Sequence, residues 1–97
     1  MSNKEYEVAH IREQGQDMII IPVSDTVNNM SNAKQNELKT SLQYFAQDAG
    51  LAGEVCLVWQ HGRHFHFLAP QPWHPFFSNM SMQFVAQNIN KKLICSN

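Results

Sequence analysis

The chain is short of charge: only 15% of its 97 residues are Asp, Glu, Lys or Arg, and seven basic residues against eight acidic ones leave a formal net charge of −1. That balance supplies no electrostatic pull toward DNA, RNA or an anionic membrane, which sets nucleic acid and membrane partners aside. Cysteine is scarce too: Cys56 and Cys95 alone do not make a disulfide framework. With four glycines there is no Gly-rich phosphate loop, and no serine sits in a nucleophile-elbow pattern. No apolar run approaches the ~18 residues of a membrane span; the longest, Met18–Val23, has the length of a strand. The first ten residues, MSNKEYEVAH, lack the apolar stretch of a signal peptide. A cytoplasmic protein is the expectation from these absences.

What is present is enough apolar residue, 43%, to exclude a disordered chain. At this length residues 1–97 read as a single domain, with 1–4 and 95–97 expected to fray. A core this small often gains stability from a second subunit, and a weakly charged surface rich in Asn and Gln favours association.

Residues Glu5–Arg12 alternate, Tyr6, Val8 and His10 against Glu7, Ala9 and Ile11, as in a half-buried strand. After a turn at Gln14-Gly15-Gln16, Met18–Val23 is apolar on both faces and reads as a more central strand that Pro22 terminates. Asn32 followed by Gln35 resembles a capping box opening a helix. Leu38, Leu42, Phe45 and Ala49 form its apolar stripe, and Gly50 ends it, with Leu51 folding back.

A second hairpin spans Val55–Ala69, its strands separated by His61-Gly62. With Gln60 facing Arg63, one face carries Val55, Leu57, Trp59, His64, His66 and Leu68, and the other Cys56, Val58, Phe65 and Phe67. Pro70–Phe77 is punctuated by three prolines and reads as extended. Ser78 or Ser81 then caps a last helix with the stripe Met82, Val85, Ile89 and Leu93, Lys91 and Lys92 lying toward its C-terminal end. The expected fold class is therefore α+β, in the order ββαββα: a mainly antiparallel four-stranded sheet made of two hairpins and packed with two helices.

Two constellations carry chemical interest. Trp59, Phe65, Phe67, Trp73, Phe76 and Phe77 crowd six large rings into nineteen residues, more than one hairpin needs. Trp73, Phe76 and Phe77 either fold back over the sheet as a lid that completes a small core or, with Trp59, are candidates for a contact surface receiving a protein partner or a second copy of the chain. On a strand, His64 and His66 point the same way and aim two imidazoles at one region, with His74, His61 or His10 as a third ligand for Zn or Mn. Cys56 and those histidines fall on opposite faces, so a Cys–His nucleophile is not expected. The leading expectation is a non-enzymatic binding or regulatory module, homodimeric and without cofactor, and the metal site is the alternative.

The string Arg63-His64-Phe65-His66-Phe67-Leu68 resembles the histidine–hydrophobic–histidine strand of HUH endonucleases, which nick single-stranded DNA. The resemblance covers about a dozen residues and implies that His64 and His66 are metal ligands. The family also needs a nucleophilic tyrosine on a later helix, whereas Tyr6 and Tyr44 both lie upstream.

Overall fold

The computed structural model of the protein describes residues 3–96. Five strands form one sheet: β1 (Asn3–Glu13), β2 (Gln16–Pro22), β3 (Glu54–His61), β4 (His64–Leu68) and β5 (Lys91–Ser96), in the spatial order β4-β3-β2-β1-β5. The α+β class holds, but the sheet has five strands rather than four and is mixed. β1 pairs antiparallel with β2 and with β5, β3 antiparallel with β4, and β2 and β3 run parallel. Parallel neighbours need a crossover, which α1 (Asn32–Asp48) supplies. Two short helices, α2 (His74–Ser78) and α3 (Met82–Gln87), precede β5.

Because β2 and β3 are apolar on both sides, both faces of the sheet must be covered. Val8, Ile19, Ile21, Val55, Leu57, Trp59, Leu93 and Cys95 pack with Leu42 and Ala46 of α1 on one face. On the other, Ala9, Met18, Ile20, Cys56 and Val58 pack with Phe77, Met80 and Val85 from the α2–α3 segment. The two helical portions therefore lie on opposite faces.

Helix α1 starts one residue before the expected capping pair: Ser31 is its N-cap, the hydroxyl accepting from Lys34 N at 3.2 Å. Gln35 instead donates to Val27 O at 2.8 Å, tying α1 to a 3-10 turn over Asp25–Asn29. At the other end Gly50 has φ +81°. Gly50 N–H donates to Gln47 O and Leu51 N–H to Ala46 O, both at 3.0 Å, the pairing that closes a helix with a left-handed residue. Ala49 is the exposed C-cap, and Ala46 takes the buried place expected for it.

Three other expectations are corrected. The β3–β4 turn is Gly62-Arg63, with His61 opposite His64 and Trp59 opposite His66, a register two residues from the expected one. Gly62 alone has positive φ (+63°), as a Gly-X hairpin turn requires. A shift of two leaves every side chain on its expected face, whereas a shift of one would have inverted them. The last helix stops at Gln87, and Leu93 belongs to β5. Asn90 ends any helical continuation by gripping β1: its side chain accepts from His10 N and donates to His10 O, both at 2.9 Å. Finally, Lys4 and Cys95, placed among the fraying residues, are paired with each other across β1 and β5, and Cys95 is buried; residues 1, 2 and 97 of those segments lie outside the described residues.

Candidate functional site

The segment from Ala69 to Met80 is not extended. Pro72 sits in the first turn of a 3-10 helix over Gln71–Trp73, and Pro75 in the first turn of α2. Those are the helical positions at which a missing N–H costs nothing. Each proline thus starts a short helical turn, and the chain rolls across the sheet. His74 pins the roll: its ring donates from Nε2 to Ala69 O at 3.0 Å and meets Phe67 edge-on at 5.1 Å between ring centres.

This roll sorts the aromatic residues into two roles. Phe77 is fully buried, with its ring 5.5 Å from Phe67 and 5.6 Å from Phe76. Trp59 is 3% exposed, on the α1 face, donating its indole N–H to Asn28 Oδ1 at 3.2 Å. Both are core rather than contact surface, Phe77 as part of the lid that was the alternative for it. Trp73 and Phe76 remain half-exposed and line a cleft of about 640 Å³. Met18, Met80 and Phe84 complete its apolar wall, and Phe84 meets Phe76 edge-on at 6.1 Å. The polar rim comes from Asn79 and from Glu13, Gln14 and Gln16 at the β1–β2 turn, where Gln14 and Gly15 both have positive φ (50° and 77°). Glu13 has no ion-pair partner among the described residues.

Sequence reasoning found Trp73 and Phe76 but missed Met18, Met80 and Phe84. Phe76, Met80 and Phe84 recur every four residues, a signal that the prolines and the break between α2 and α3 obscured.

The histidines do not gather as expected. His64 and His66 share the α1 face of β4, with ring centres 6.4 Å apart, while His74 lies on the other face beside Phe67. His66 stacks on Trp59 at 5.7 Å with an interplanar angle of 14°. His10 is spent elsewhere, its Nε2 2.8 Å from Ala52 O. Among the described residues no three His, Cys, Asp or Glu side chains converge in the manner of a metal site. Burial pushes the Cys56 thiol up to about 12 and raises that of Cys95, which suits neither to act as a nucleophile.

The chain matches no protein-family model, no curated protein and no solved structure.

Proposed function

We propose that this chain is a non-enzymatic protein-binding module, working in the cytoplasm as a homodimer, that takes a short apolar segment of a partner protein into the Trp73–Phe76 cleft. The observation that carries the reading is the cleft itself: two half-exposed aromatic rings, two methionines and Phe84 around about 640 Å³ of open space. Apolar walls with a few polar groups at the rim are the usual make-up of a binding pocket, and flexible methionines let such a wall adapt to more than one side chain. Glu13, the rim's one carboxylate, favours a segment carrying a Lys or Arg beside its apolar anchor. The free, buried cysteines suit a reducing compartment.

The test is selection of a random dodecapeptide library on the protein, with counter-selection on Trp73→Ala. Enrichment of apolar anchors flanked by Lys or Arg, binding only the unaltered protein and shifting the amide resonances of Met18, Phe76 and Phe84, is the expected result. Peptides that bind both proteins equally, or no enrichment at all, would refute the cleft as the binding site.

A further inference from the structure

Among the described residues β4 and β5 each have one neighbouring strand, so each leaves an edge unpaired, and the two edges differ in kind. β5 carries Lys91 and Lys92, both exposed, and charged side chains are a common guard against edge-to-edge pairing. β4, His64-Phe65-His66-Phe67-Leu68, carries no Lys, Arg, Asp or Glu, no proline and no bulge. Its side chains are also less covered than those of β3: Phe65, His66, Phe67 and Leu68 are all half-exposed, although both core clusters extend out to them.

The phase of the β3–β4 ladder fixes which groups this edge offers. A two-residue turn is closed by a hydrogen-bonded pair, here His61 and His64, and hydrogen-bonded and non-hydrogen-bonded pairs alternate from there. His64, His66 and Leu68 therefore spend their backbone groups on β3. Phe65 and Phe67 direct theirs outward, two N–H donors and two carbonyl acceptors in a row.

We infer that β4 is a homodimer interface, in which two copies pair antiparallel, edge to edge, about a twofold axis through His66. Only this register uses all of β4 from both copies. It places Phe65 opposite the second copy's Phe67 and Phe67 opposite its Phe65, so that both outward residues of each strand fall in hydrogen-bonded pairs and four backbone hydrogen bonds form. His66 meets its own twin in the closely spaced, non-hydrogen-bonded position, about 4.5 Å between Cα atoms. His64 meets Leu68. The Phe65–Phe67 contacts across the axis are the aromatic cross-strand pairs that stabilise sheets, and no like charges oppose one another. Arg63 falls opposite Ala69, at the outer end of the ladder and away from its twin. A second copy is thus the occupant that the strand itself specifies, since its hydrogen-bonding phase and its side-chain sequence are both self-complementary about one residue. The inference rests on the homodimeric part of the proposed function and is independent of the cleft, which β4 does not line.

Two measurements test it. In the unaltered protein, amide exchange is followed from 10 µM to 500 µM. The Phe65 and Phe67 amides should gain at least about tenfold protection with concentration, while His64, His66 and Leu68, already bonded to β3, stay nearly constant. In the second, His66→Cys is oxidised mildly. Twin cysteines about 4.5 Å apart at Cα lie within disulfide reach, so a covalent dimer should form. His64→Cys, about 14 Å from its twin in this register, should form no covalent dimer, and neither should the unaltered protein with its buried Cys56 and Cys95. Phe65 and Phe67 amides that exchange as fast as unpaired amides at every concentration would overturn the inference, as would cross-linking of His64→Cys as fast as His66→Cys. Light scattering of the unaltered protein separates the two failures: a dimer by mass with an unprotected β4 edge overturns only this interface, and a monomer throughout overturns the homodimer as well.

Discussion

Replacing Gly53 by alanine tests the join between the two hairpins. Gly53 stands just before β3 with φ +117°, a conformation that L side chains rarely adopt. An added Cβ would lie 2.4 Å from the carbonyl oxygen of Asp17, 2.7 Å from its carbonyl carbon and 2.9 Å from its Cβ. Two of those three atoms are backbone at the start of β2, where Met18 is in register with Glu54, so nothing flexible can give way. The backbone conformation costs about 1–3 kcal/mol. Forcing β2 and β3 apart adds about 1–3 kcal/mol, as overpacking does elsewhere. Together they take a large share of the roughly 5–15 kcal/mol that holds a domain of this size. Gly50→Ala is the internal control: φ is +81° and there is open space around it, so only the left-handed penalty of about 1–2 kcal/mol applies. Urea unfolding followed by tryptophan fluorescence, with matched m-values, gives both numbers, and a melt should show Gly53→Ala lower by at least about 10 °C. If the two variants fell within about 0.5 kcal/mol of each other, the close approach of Gly53 to Asp17 would not set the parallel register.

Gln43 of α1 spans the same join, accepting from Val55 N at 2.7 Å and donating to Gly53 O at 3.1 Å; Gln43→Leu should cost about 1–3 kcal/mol and speed exchange of the Val55 amide. Phe77→Ala should cost about 3–5 kcal/mol in the same unfolding assay, and Trp73→Ala less than half of that, since Phe77 is buried and Trp73 half-exposed; equal losses would contradict this division of roles. Because the Cys56 thiol is raised to about 12 by burial, the unfolded chain ionises first on going alkaline. Stability from this group is intact below the ordinary thiol value of 9.0 and declines from there toward pH 12, by about 1.4 kcal/mol per unit. The difference between the unaltered protein and Cys56→Ala isolates that slope from other alkaline titrations.

Much of the architecture was legible because its signals are local. The alternation Tyr6-Val8-His10, the stripe Leu38-Leu42-Phe45 and the stop at Gly50 each state their own geometry within a few residues. The face assignments on the β3–β4 hairpin survived an error in the turn because the error was an even number of residues. Two features were hidden by ambiguity of period. Val85, Ile89 and Leu93 are four apart and read as a helix, while Leu93 and Cys95, two apart, are the buried side of a strand; the pairing with β1 and the Asn90 clamp on His10, 80 residues away, decide between them. The prolines after β4 were read as bars to helix when they stand at helix starts. The strand order was beyond local reading, since β5 adds beside β1 at the far end of the chain.

The histidine pair on β4 can be read as packing or as ligation, and the two make opposite forecasts. In the structure His66 lies flat against Trp59, which is itself fixed by Asn28, while His64 is exposed and meets His66 edge-on. If the pair serves packing, the two residues are unequal. His66→Ala removes a stacked aromatic contact worth about 0.5–1.5 kcal/mol and shifts Trp59 emission to the red, whereas His64→Ala changes stability by less than about 0.5 kcal/mol. If the pair serves a metal, the two are equal in the metal-bound state, and added Zn²⁺ raises the melting temperature by linkage, since a ligand present at 100 times its Kd stabilises by about 2.7 kcal/mol. The stack on Trp59 and the placement of His74 on the opposite face favour the unequal outcome, with a melting temperature indifferent to 100 µM Zn²⁺. Equal losses in the two alanine variants together with a Zn²⁺-dependent rise would reverse the assignment and make the open end of the β3–β4 face a metal site.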